Sequence, residues 1–186
     1  MIYSLPYSVR IDDKNIPIRN KCDYRIVLDV IEALNDDELD EQQKLQCALY
    51  IFYGDGLNNT TNYEEAVRQM MIIINGGEED TETDGENKAP LMNWEHDFPQ
   101  LAPPVGRILG YDIRDPERFT HWYTFLGGYM EIGECTFSTI MSIRSKRSKG
   151  KKLEKWEEEF YKEHRKMIDL PRTLTKEEQE FLDSDW

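Results

Sequence analysis

The chain has 186 residues, 39% of them hydrophobic and 32% charged, with a formal net charge of −14 at neutral pH. A field of that sign repels nucleic acid and anionic lipid and attracts basic protein segments, so it argues against the first two as partners of the whole chain. No run of about 18 apolar residues is present to span a membrane.

The elements follow in chain order. Ser8-Val9-Arg10-Ile11 and Asn15-Ile16-Pro17-Ile18 alternate polar with apolar, the period of half-buried strands, around the turn residues Asp12, Asp13 and Lys14. They predict a β-hairpin with Pro17 on an edge. A lone hairpin is marginal in water, so its apolar face must rest on the helices that follow. Helix one is expected over about 24–33, capped by Asp23, with Ile26, Val27, Val30, Ile31 and Leu34 as its stripe. Helix two is expected from near Glu38, capped by Asp36 or Asp37, to Phe52. Helix three is expected over 63–74, with Asn62 as cap and Gly76-Gly77 as stop.

Residues 77–91 then carry many acids and almost no large apolar side chain, and read as an acidic flexible linker. Beyond it a short helix is expected over about 99–109, because Pro103 and Pro104 fit only a first turn. Asp115-Pro116 reads as the start of an aromatic helix running to about Glu131, with Phe119, Trp122, Tyr123, Phe125, Leu126 and Tyr129. Within it, Gly127-Gly128 marks a close approach by a neighbouring helix in preference to a kink. A helix over about 137–144 follows. The basic run 144–152 is expected as a solvated loop, leading into an exposed charged helix that ends near Met167. Pro171 breaks the chain, and Thr175 to Glu178 forms a capping box for a last helix. The expected architecture is mainly α, a helical bundle-like protein with a small N-terminal β-hairpin. Its expected parts are 1–76, the linker 77–91 and a helical part 92–186.

The chemistry-bearing residues carry no catalytic pattern. Cys22, Cys47 and Cys135 form no CxxC pair and read as buried or half-buried thiols. His96, His121 and His164 stand at no zinc-ligand spacing, and no metal or cofactor is expected. The carboxylate pairs Glu95/Asp97 and Asp112/Asp115 are what this composition supplies by chance; Asp112 is expected to order a turn. Arg144, Lys146, Arg147, Lys149, Lys151 and Lys152 lack interleaved aromatics, so nucleic acid is disfavoured as their partner. Binding is the remaining class. Leu153, Trp156, Phe160 and Met167 form a narrow apolar seam, and Trp156 and Phe160 are its candidate partner-binding residues, filling a groove or mediating self-association. Phe181, Leu182 and Trp186 form a second candidate anchor.

An ordered series of segments carries a resemblance. It comprises Leu5-Pro6, Ser8-Val9, Ile11-Asp12, Pro17-Ile18, Asp23-Tyr24-Arg25, the stretch Leu45 to Leu49 and Phe52-Tyr53-Gly54. It continues with Glu64-Glu65-Ala66, Asp97-Phe98, the stretch Gly110 to Ile113, the stretch His121 to Phe125, and the stretch Phe137 to Met141 with Ile143-Arg144. Over roughly residues 1–165 the chain resembles the gp-fifteen family of phage tail-assembly proteins. These are encoded beside the tape-measure gene in siphophages and prophages of Gram-positive bacteria. His121, Trp122 and Phe125 stand in the family's histidine-tryptophan-aromatic signature. Pro103-Pro104 and Tyr123 depart from its usual pattern. The resemblance implies a non-enzymatic tail-assembly chaperone that coats the tape-measure protein, or another tail protein, in the host cell cytoplasm. The alternative is a structural or regulatory phage protein, present in the virion or bound to a host protein.

Overall fold

A computed structural model describes residues 4–79 and 91–171. Among them it is mainly helical, with one two-stranded antiparallel sheet. Strands β1 (Ser8–Ile11) and β2 (Lys14–Pro17) pair with Val9 opposite Ile16 and Ile11 opposite Lys14. Asp12 and Asp13 connect them with φ of 46° and 64°. Positive φ at both central residues gives a two-residue turn whose twist suits the strands. Val9, Ile11 and Ile16 are buried on the inner face, as the alternation predicts.

Helix α1 (Tyr24–Asn35) starts at Asp23, whose carboxylate accepts the Arg25 N–H. Helix α3 (Tyr63–Ile74) is capped by Asn62 and closed by the glycine pair. Gly76, at φ 75°, donates to the Ile73 carbonyl and Gly77 to that of Ile72, which satisfies two terminal carbonyls. Helix α2 (Glu41–Tyr53) begins later than expected. Asp36 is spent in a turn, accepting the Glu38 N–H at 2.8 Å. Asp40 is the cap instead, in a reciprocal box with Gln43.

Four later expectations are corrected. Helix α4 (Trp94–Leu109) starts five residues before the expected Pro99 and carries Pro99, Pro103 and Pro104 inside it. Asn93 caps it, accepting the His96 N–H at 2.8 Å, while the Asp97 carboxylate accepts the Asn93 N–H at 3.0 Å. Burial of Leu101, Ala102 and Val105 on one face holds the helix despite the missing proline donors. Helix α5 (Trp122–Met130) does not begin at Pro116. Asp115-Pro116 opens a turn, in which the Arg118 N–H reaches the Asp115 carbonyl, and the next residues stay extended along the start of α1. Helix α6 (Thr136–Ser148) overruns its expected end at Arg144. The charged segment then divides into α7 (Lys155–Glu163) and α8 (Arg165–Ile168) at His164. The expected helix after Pro171 lies outside the described residues.

The described residues form two compact units that interleave in sequence, 4–79 with 101–133, and 91–100 with 134–171. In the first, α1 packs on α2 and α5 around Val27, Val30, Phe52, Met70 and Phe125. The aromatic helix α5 thus shares a core with α1. In the second, Ile140, Ile143 and Ile168 form the core, with Leu153, Phe160, Tyr161 and Met167 against it.

Candidate functional site

The segment 120–125 is built into the start of α1. The Tyr24 N–H donates to the Thr120 carbonyl at 2.9 Å, and the Trp122 N–H to the Cys22 carbonyl at 2.8 Å. Asp23 and His121 face each other in this bridge, and each caps the helix that follows it. His121 Nδ1 accepts the Tyr123 N–H at 3.0 Å. Nε2 must then carry the ring proton, and it donates to the Pro6 carbonyl at 2.9 Å. Burial lowers the His121 pKa below its ordinary 6.5, against the Pro6 hydrogen bond and the Asp23 charge, which favour the cation. Both ring nitrogens are therefore engaged by backbone, and the ring is neutral.

Trp122 and Phe125 lie beneath. Phe125 stacks on Tyr24 at 4.7 Å between ring centroids and on Trp122 at 5.5 Å. Trp122 Nε1 donates to the Ile74 carbonyl at 3.1 Å. Burial pushes the Cys22 thiol up to about 12, so it stays protonated near neutrality. Of the glycine pair on α5, Gly128 is the one approached closely. A Cβ there would sit 3.2 Å from Val105 and Leu109 of α4, whereas at Gly127 it would meet nothing within 4 Å. These residues assemble a packed junction rather than an open cleft.

In the second unit the two seam candidates have different places. Trp156 is 53% exposed, its Nε1 donating to the Glu154 carboxylate at 2.9 Å. Phe160 packs against the core of Ile140, Ile143 and Ile168, and so belongs largely to the fold. Phe181, Leu182 and Trp186 lie outside the described residues. The basic run is only partly the expected solvated loop. Arg144 is buried and forks onto Asp97, Lys146 meets the buried Glu157 at 2.6 Å, and Arg147 meets Asp169 at 2.6 Å. Lys149, Lys151 and Lys152 remain exposed in the α6–α7 loop. Sequence reasoning missed the Asp97–Arg144 pair. Cys47 is exposed, not buried or half-buried, because it lies on the outer face of α2; Cys22 is buried and Cys135 half-buried. Asp112 orders its turn as expected, accepting the Arg114 N–H at 2.9 Å.

No group of three or more histidine, cysteine or carboxylate side chains placed to hold a metal occurs among the described residues. None of the described helices is long and apolar enough to cross a membrane. Other large apolar side chains stand exposed on the first unit, among them Tyr50, Tyr63 and Met130.

Comparison with known proteins gives one match. Residues 1–102 fit the model of a family described as Bacteriophage Gp15 protein. No curated protein and no solved structure matches the chain.

Proposed function

The chain belongs to the bacteriophage Gp15 protein family, and from that premise we propose that it is a tail-assembly chaperone that binds the tape-measure protein. The observation that carries this reading is the family match over residues 1–102, which covers the hairpin, α1 to α3 and the first turns of α4. The activity is binding and release, not catalysis, and its place is the host cell cytoplasm. A tape measure is a long helical chain with apolar faces, which aggregates unless something covers them. An acidic helical protein that presents isolated exposed apolar side chains is suited to hold such a chain reversibly. Trp156 is the anchor proposed for this contact in the second unit, because among the described residues it is a large apolar side chain exposed outside that unit's core.

The test is co-expression with the tape-measure protein encoded in the same genome, followed by affinity pull-down and size-exclusion chromatography. The expected result is a soluble co-eluting complex, with the tape measure insoluble when expressed alone. Absence of a complex, with this protein recovered in purified particles, would overturn the chaperone reading in favour of a virion component.

A further inference from the structure

Two residues of the short segment ahead of β1 reach the rest of their unit through their carbonyls. Pro6 gives its carbonyl to His121 Nε2 at 2.9 Å, and Tyr7 gives its carbonyl to the Ile18 N–H at 2.9 Å. The Tyr7 ring stands edge-on to the imidazole at 5.5 Å and 80°, and Tyr123 meets the same ring at 5.5 Å and 84°. Tyr7 itself is 47% exposed, so the segment lies on the surface with His121 beneath it. His121 is 2% exposed, and both of its ring nitrogens are taken by backbone groups of two different segments. One imidazole thus ties the N-terminal segment to the start of α5.

We propose that His121 is a pH-operated latch, in which a proton gained at Nδ1 uncaps α5 and releases the segment ahead of β1. The added Nδ1–H would point at the Tyr123 N–H, donor against donor, 3.0 Å apart in the closed geometry. The ring must turn to relieve this, and turning withdraws Nε2 from Pro6 and the ring face from Tyr7. The Tyr7 carbonyl, still held by Ile18, is the hinge about which the segment swings. Among the described residues, the groups facing the ring are Tyr7 from the N-terminal segment, Asp23 ahead of α1, and Tyr123 from α5. Asp23 is the one anionic group among them, and its carboxylate is already spent on the Arg25 guanidinium and the Thr120 N–H. The latch is therefore closed at neutral pH and opens on mild acidification. This inference goes beyond the partner reading and does not depend on it.

The experiment is a two-dimensional NMR titration of the full chain, from mildly alkaline pH down toward the isoelectric point near 4.7. It follows the His121 ring protons together with the backbone amides of Leu5 and Tyr7. The expected result is that the amide signals of the segment lose their structured shifts in step with His121 protonation, at a pH below the ordinary histidine value. His121→Asn is the companion variant, because asparagine caps a helix well and does not titrate. It should keep its α5 signals unchanged over the same range, with no pH-dependent step in the segment. The proposal is overturned if the segment stays ordered after His121 has titrated, or if it is released at a pH where His121 is still neutral. Should His121→Asn fail to fold, the wild-type comparison of the two titration curves still decides.

Discussion

Arg144 on α6 forks onto both carboxylate oxygens of Asp97 on α4, at 2.6 and 2.8 Å, with both side chains buried. The guanidinium also donates to the carbonyls of Leu91, Met167 and Ile168, so one cation gathers two further backbone segments of its unit. A buried charge is tolerated only with this degree of satisfaction.

Removing one partner strands the other. Asp97→Ala or Arg144→Ala is expected to cost about 3–5 kcal/mol by leaving an uncompensated buried charge. Arg144→Lys keeps the charge but not the fork, and is expected to be destabilising as well. The double variant Asp97→Ala/Arg144→Ala should be less destabilised than the sum of the two single ones. Urea unfolding followed by circular dichroism measures all four. Additive losses would show that the pair is not coupled.

The glycine pair on α5 separates packing from propensity. Gly128→Ala places a methyl 3.2 Å from Val105 and Leu109, and overpacking of this kind costs about 1–3 kcal/mol. Gly127→Ala meets open space, and its better helix propensity is worth about 1 kcal/mol of stabilisation. Thermal melts of the two variants should therefore move in opposite directions. Equal shifts would mean that the approach of α4 does not govern this helix.

What the sequence discloses here is set by which residues act locally. Asp23, Asn62 and Gly76-Gly77 are local signals, and the bounds of α1 and α3 follow from them. Asp12-Asp13 likewise marks its turn, and the turn fixes the register of the hairpin. The start of α5 is not local. Asp115-Pro116 carries a helix-start pattern, but it opens only a turn, and the hydrogen bonds of Thr120 and Trp122 with the start of α1 keep the chain extended from there to His121. Those bonds act only beyond the turn at 115–118, and they join residues about a hundred positions apart, beyond the reach of any window. Helix α4 was obscured because its three prolines argue against a helix that tertiary burial sustains.

The Asp97–Arg144 pair had a faint signal. Phe137, Ile140 and Arg144 stand at helical spacing on one face of α6, so the arginine shares the side of the buried apolar residues. Its membership in a dense basic run masked that position. Of the candidate binding residues, Trp156 and Phe160 share a face by spacing alone. Only packing on Ile140, Ile143 and Ile168 separates the exposed ring from the structural one.

Glu157 and Lys146 make stability depend on pH. The Lys146 ammonium, with the Glu154 N–H, holds the buried Glu157 carboxyl below its ordinary 4.5. A lowered native value means that the unfolded chain binds the proton more readily. The stabilisation is therefore complete above the ordinary carboxylate value and is lost as pH falls from there through the native one. Glu157→Gln should remove this part of the acid dependence while lowering stability at neutral pH. Urea midpoints of the two proteins across the acid range check it, and parallel curves would refute the assignment.

Trp156 and Phe160 finally separate binding from folding. Trp156→Ala removes a ring that is half exposed and free of the core, so stability should change by no more than about 0.5 kcal/mol. Phe160→Ala removes a partly buried ring from the core of Ile140, Ile143 and Ile168, and should cost about 2 kcal/mol, less than the ~3–5 of a fully buried phenylalanine. If Trp156 is the anchor, its alanine variant folds normally and recovers less tape-measure protein in the pull-down. Lys149→Ala, in the neighbouring loop, serves as the control for nonspecific loss. Unchanged recovery with Trp156→Ala would move the contact to another surface, and the exposed Tyr50, Tyr63 and Met130 of the first unit are the next side chains to replace.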